Sequence, residues 1–134
     1  MPTEIAVRNL SGRAVDTEAL VAAGRRVLAA EGAAPLTLSL ALVDEARISA
    51  LNRRLLGRDG PTDVIAFEAD DGEGEIIVSV DTAARQAEEL GHSLMDELRF
   101  LVAHGVLHVC GWDDTDPVDR QRMIERQHET LGNT

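Results

Sequence analysis

His104-Gly-Val-Leu-His108-Val-Cys-Gly111-Trp112-Asp113-Asp114 decides how the rest of the chain is read. The two imidazoles are four residues apart, one helical turn plus about 40°, so in a helix both rings leave the same face. The residues before them support a helix. Ser93 with Asp96 three positions later resembles a capping box, and Leu94, Leu98, Leu101, Val102 and Gly105 form one apolar stripe. Gly111 can end the helix, and four acids follow it: Asp113, Asp114, Asp116 and Asp119. A returning loop can bring one of those carboxylates back to the rings. Two His on a helix with one ligand from the next loop make a three-ligand catalytic metal site, with a position left for water. The plainer reading, two satisfied structural histidines, suits a lone His better than this pair.

The neighbouring residues narrow the chemistry. Gly105 stands where the metalloprotease signature His-Glu-x-x-His carries its general base. A glycine inside a helix costs about 1 kcal/mol relative to alanine, and close approach of another backbone would explain keeping one. Cys110 falls about 240° round the helix from His104, so it reads as a small buried residue rather than a ligand. His92, at a helix start, and His128, on the last helix, lack a local partner pattern and read as surface or capping residues. Trp112 reads as packing the loop against the helix.

Outward from this helix, Thr3 to Arg8 alternates weakly as a short strand. Asp16 or Thr17 caps a helix with Leu20, Val21, Val27 and Leu28 on one face, ending at Gly32. Leu36 to Val43 is a strand buried on one face and largely on both. Asp44 caps a helix with Ile48, Leu51 and Leu55 inward and Gly57 at its end. Val64 to Phe67 and Ile76 to Val80 form an antiparallel hairpin around the Asp70-Asp-Gly-Glu-Gly74 loop. Asp81 caps a helix stopped by Gly91, and Pro117 opens a last helix running to about Leu131. The order β-α-β-α-β-β-α-α-α predicts one α+β domain spanning residues 1–134, a mixed sheet of about four strands against about five helices.

Composition sets the outer bounds. With 134 residues there is room for one domain with a real core, and that core is aliphatic, since the chain has two Phe, one Trp and no Tyr. One cysteine permits no intrachain disulfide, which suits a reducing compartment. Met1-Pro-Thr-Glu-Ile5 lacks a basic segment followed by an apolar run, and no apolar stretch is long enough to span a bilayer, so a soluble, cytoplasmic protein is expected. The formal charge is −11 and all 13 positive charges are arginine. Such a chain is a poor non-specific nucleic-acid binder. Local clusters remain, however: Arg53, Arg54 and Arg58, and the pair Arg25 and Arg26; such a fork can bind phosphate, though for any one Arg a solvated helix end is the plainer reading.

The His104–Asp114 stretch resembles the His-Gly-x-Leu-His-Leu-x-Gly-Tyr-Asp-His motif of the YbeY family, bacterial rRNA maturation factors regarded as metal-dependent endoribonucleases. Upstream, Leu51-Asn52, Gly57-Arg58-Asp59 and Pro61-Thr62-Asp63-Val64-Ile65-Ala66-Phe67 are similar to its Leu-Asn…Arg-Gly-x-x-x-Pro-Thr-Asp-Val-Leu-Ser-Phe. Gly74-Glu75-Ile76-Ile77-Val78-Ser79 is similar to its Gly-Asp-Ile-x-Ile-Ser. The likeness runs from about Val43 to Met123. It implies hydrolysis of single-stranded RNA in rRNA maturation and ribosome quality control, one zinc ion, and contact with the small ribosomal subunit, with ribosomal proteins and an assembly GTPase as further partners.

Carried over by position, the resemblance makes His104, His108 and position 114 the metal ligands. Position 114 is Asp where the family has a third His, which removes one unit of positive charge from the ligand set and admits Mn²⁺ or Fe²⁺ beside Zn²⁺. Asp113 competes with Asp114 for that role. The family has an activity-linked Arg before Gly57, where this chain has Leu56. Arg58 and Arg54 are the nearest substitutes, and Arg58, on the loop, is the candidate catalytic residue for the phosphate. Thr62 and Asp63 are candidates to position the substrate or a ligand histidine's proton. Ala66 replaces the usual Ser and Glu68 the usual Pro. A ribosome-associated assembly factor with a structural metal, and more remotely a metalloprotease, are the other readings.

Overall fold

The computed structural model describes residues 3–32, 37–69 and 72–131. Four strands, β1 (Glu4–Asn9), β2 (Thr37–Val43), β3 (Val64–Ala69) and β4 (Glu73–Ser79), form one sheet in the order β1-β2-β4-β3. The pairs β1–β2 and β2–β4 are parallel, and β3 is antiparallel to β4 at one edge. Five helices are found among the described residues: α1 (Thr17–Glu31), α2 (Glu45–Leu56), α3 (Val80–Leu90), α4 (Leu94–Val109) and α5 (Pro117–Leu131). This is the expected α+β domain with a mixed sheet of four strands and five helices.

Period-two alternation divides the sheet residues between two cores. Leu38, Leu40, Leu42, Ile76 and Val78 face α1 and α4 in the main core, and α5 closes over both helices. Ala41, Val43, Ile65 and Ile77 face the other way, where Ile48 and Leu51 of α2 cover them. The metal-motif helix α4 is therefore the most enclosed of the five helices described, while α2 lies on an otherwise thinly covered face.

Several local expectations are corrected. The α3 cap is Ser79, whose hydroxyl accepts from the Thr82 N–H at 3.2 Å, so Val80 belongs to the helix and not to the strand. Asp81 is freed from capping and instead accepts from Glu45 N at 2.9 Å and Arg13 Nε at 3.0 Å, tying α3 to the start of α2. These bonds, the backbone one first, hold its carboxyl below the usual carboxylate range. Leu55 is exposed rather than inward, lining an open groove beside β3. Leu36, Asp70 and Asp71 lie outside the described residues. Gly105 answers a close approach, but to a side chain: a Cβ there would sit 2.7 Å from Ile76 Cγ2 of β4. No helix among the described residues is long and apolar enough to cross a membrane.

Candidate metal centre

One turn of α4 sets the imidazoles side by side. Their ring centroids are 4.6 Å apart at an interplanar angle of 80°, and the two Nε2 atoms are 3.1 Å apart. The helix then ends on two backbone bonds, Gly111 N to His108 O and Trp112 N to Leu107 O, both 3.0 Å. Gly111 has φ +103°, a conformation that a Cβ would strain, and the chain reverses there. The Trp112 indole packs against the core and donates from Nε1 to Glu31 Oε1 of α1 at 2.5 Å. Glu31 is in turn held by Arg126 of α5 at 2.8 Å. Trp112 therefore anchors the loop as expected, and Asp114 two residues later returns over the rings.

The result is a three-atom cluster. Asp114 Oδ2 is 3.4 Å from His104 Nε2, and Oδ1 is 3.5 Å from His108 Nε2. An ion bound tetrahedrally at 2.0–2.1 Å separates neighbouring ligand atoms by about 3.3 Å. The three groups thus already stand at the spacing that one shared small divalent cation requires, and they are the described His, Cys, Asp and Glu groups that converge in this way. The competing acids are engaged elsewhere. Asp113 accepts from Thr115 N and Oγ1, both at 3.1 Å, and Asp116 caps α5 through Asp119 N at 2.8 Å. Cys110 is partly buried against the core, outside the cluster.

The electrostatics suit cation binding. Burial first, then the neighbouring His108, pushes the His104 imidazole below its ordinary pKa, against opposing pulls from Gln127, Asp114 and Asp63. That shift favours the neutral imidazole, the form that binds metal. Its tautomer is fixed from behind: Nδ1–H donates to Gln127 Oε1 at 3.3 Å, which leaves the Nε2 lone pair facing the cluster. Gln127 is fully buried, and its own amide is oriented by donating to Phe100 O at 3.1 Å. Sequence reasoning missed Gln127. Its signal was a polar residue on the Met123–Gln127–Thr130 buried face of α5. His92, read as a surface or capping residue, is exposed, and its Nε2 also meets the buried carboxylate of Glu97 at 2.6 Å.

A groove of about 500 Å³ opens in front of the cluster, between α4, β3 and the end of α2. Arg58, Thr62 and Asp63 all line it, as do Leu55 and Leu56. The Arg58 guanidinium makes no ion pair or hydrogen bond among the described residues. Its loop is held by the Asn52 side chain, buried in α2, which donates from Nδ2 to Gly60 O at 3.0 Å. The Asp63 carboxylate accepts from Gln86 at 3.3 Å, so the hydrogen bond on the His104 ring is Gln127's rather than Asp63's or Thr62's. Leu56, where the resemblance calls for Arg, sits 51% exposed at the groove wall. Arg54, the other candidate substitute, points into a different groove.

A helix-borne His pair closed by a loop carboxylate, opening on a groove with an unpaired guanidinium, defines a metal-dependent hydrolase-type site. A family model described as endoribonuclease YbeY matches residues 6–134. An endoribonuclease YbeY from Pelotomaculum thermopropionicum is 39% identical, covering 96% of this chain and 95% of its own length. The one from Salinispora tropica is 38% identical, with 95% and 93% covered. A Thermotoga maritima protein known from its solution structure superposes with a TM-score of 0.64 at 28% identity, covering 96% of this chain and 91% of that one. The chain belongs to the endoribonuclease YbeY family, a family of RNA-cleaving hydrolases.

Proposed function

We propose that this chain hydrolyses phosphodiesters within single-stranded RNA, with one divalent cation held by His104, His108 and Asp114. The observation that carries the reading is the 3.1–3.5 Å spacing of those three ligand atoms at the head of a groove that presents Arg58. Bound there, a divalent ion supplies Lewis acidity to a phosphoryl oxygen and a nucleophile at neutral pH. Gln127 keeps the His104 proton on Nδ1. Arg58 neutralises charge that grows on the scissile phosphate, and the Thr62 hydroxyl donates to the neighbouring strand. Asp63 shapes the corner between groove and cluster. Leu55 and Leu56 offer apolar surface to a ribose or base.

The family supports a ribosomal RNA precursor as substrate, and with it the small ribosomal subunit, ribosomal proteins and an assembly GTPase as partners, in the cytoplasm. Zn²⁺ is the first choice of ion. The Asp in place of a third His makes the site harder and admits Mn²⁺ or Fe²⁺. A Glu base of the metalloprotease kind has no room at position 105, where even a Cβ meets Ile76.

The test is cleavage of a labelled single-stranded rRNA fragment by purified protein, with and without chelator, beside His104→Ala. Cleavage by the untreated wild type, lost with chelator and in His104→Ala, is expected. Equal cleavage by the wild type, the chelated protein and His104→Ala would overturn the reading.

A further inference from the structure

We propose that the RNA strand leaving the metal groove crosses the C-terminal turn of α2 into a second groove, where Arg47 and Arg54 hold its phosphates. This rests on the endoribonuclease reading, and extends it to where the substrate runs beyond the scissile bond. An endonuclease must accommodate chain on both sides of the bond it cuts, so a strand lying in the first groove has to leave it in two directions.

The second groove, of about 440 Å³, lies on the thinly covered sheet face beside α2. Ala41, Val43, Leu51 and Ile77 give it an apolar lining, and Arg47 and Arg54 supply its charge. No Asp or Glu lines it, in a chain that carries 24 of them. Five of the thirteen arginines are engaged by acids: Arg13 by Asp81, Arg53 by Asp59, Arg85 by Glu45, Arg99 by Asp96 and Arg126 by Glu31. The guanidiniums of Arg47 and Arg54 have no such partner among the described residues. They are seven residues apart, two turns of α2, which puts both on one side of the helix about 10 Å apart along its axis.

The last turn of that helix contributes to both grooves. Arg54 belongs to the second groove, the next two residues, Leu55 and Leu56, to the first, and Arg58 follows on the loop. A strand passing over this turn meets Arg58, then Arg54, then Arg47, with apolar surface beneath it throughout. Unpaired guanidiniums above an apolar floor are the combination that tracks single strands without reading their sequence. In an overall acidic molecule this path also confines the strand, since RNA is repelled elsewhere.

The experiment measures binding of a fluorescein-labelled 12-nucleotide 2′-O-methyl oligouridylate across a salt series by anisotropy. It compares the wild type with Arg47→Ala/Arg54→Ala and with Arg26→Ala/Arg122→Ala, an equal charge change on α1 and α5. Each phosphate contact on a single strand contributes about 0.7 to the slope of log Kobs against log salt, so the first variant should lose about 1.4. The control variant should keep the wild-type slope, and Arg47→Lys/Arg54→Lys should restore most of it. An unchanged slope in Arg47→Ala/Arg54→Ala, or an equal loss in the control, would overturn the second groove while leaving the metal site intact. A wild type that does not bind the oligonucleotide at all would overturn the endoribonuclease reading together with it.

Discussion

The two walls of the active groove are built in opposite ways. The α4–α5 wall holds His104 between a buried core, a fully buried Gln127 and the Trp112-anchored loop that returns Asp114. The α2 wall presents exposed Leu55, Leu56 and Arg58 on a turn tied down by the hydrogen bond from Asn52 to Gly60. A cation tolerates little misplacement of its ligands, and a rigid helix in the densest part of the core supplies that. A polymeric substrate must enter and leave, and an exposed helix end with unpaired guanidiniums suits that better. Metal binding and substrate binding should therefore be separable by mutation.

The largest effect short of removing a ligand is expected at Gln127. Gln127→Leu removes the acceptor that fixes the His104 tautomer, and cation affinity should fall about 10- to 100-fold in competition with a chromophoric chelator. Unchanged affinity would mean that packing alone orients the ring. On the opposite wall, Arg58→Ala should lower kcat/KM for RNA by about 10- to 100-fold, the scale of one charge-assisted hydrogen bond. Metal content should stay at the wild-type level. Metal loss in that variant would erase the distinction between the two walls.

Gly105→Ala probes how closely α4 sits on β4. Overpacking against Ile76 costs about 1–3 kcal/mol, and the gain in helix propensity returns about 1. A net loss of about 1 kcal/mol in denaturant unfolding is expected. It should disappear when the substitution is made in an Ile76→Ala background, where the space has been opened.

The smallest effect is expected at Asp81, remote from both walls. Its folded pKa is depressed, so its contribution to stability is present above the ordinary value of about 3.9 and is lost as pH falls through the folded value. Asp81→Asn should lower Tm at neutral pH by a margin that closes in acid. A margin that persists at low pH would point to packing rather than charge.

The metal wall was largely legible in the sequence because its parts are local. The i, i+4 histidines, the helix-ending Gly111 and the acids after it lie within one short stretch, and resemblance singled out Asp114. The structure supplies the reason: Asp113 and Asp116 are committed to turns and caps. The order of the elements along the chain and most helix boundaries followed from periodicity and capping chemistry, the α3 cap being the exception. What was missed is what depends on distant contacts. Gln127 joins His104 across 23 positions, Asp81 reaches back to Glu45 and Arg13, and Ile76 rather than a backbone fills the notch at Gly105. Leu55 continues the apolar pattern of α2 but lines an open groove, so periodicity assigns it to a core that is not there. Arg54 and Arg58 stand four residues apart in sequence, and only the fold shows that they face different grooves.

The most direct test of the metal wall is metal content by inductively coupled plasma mass spectrometry. Wild type purified without chelator would be compared with Asp114→Ala. About one divalent ion per chain in the wild type, lost in the variant, is the expected result. An equal complement of metal in Asp114→Ala, or none in either protein, would contradict a cation held by His104, His108 and Asp114.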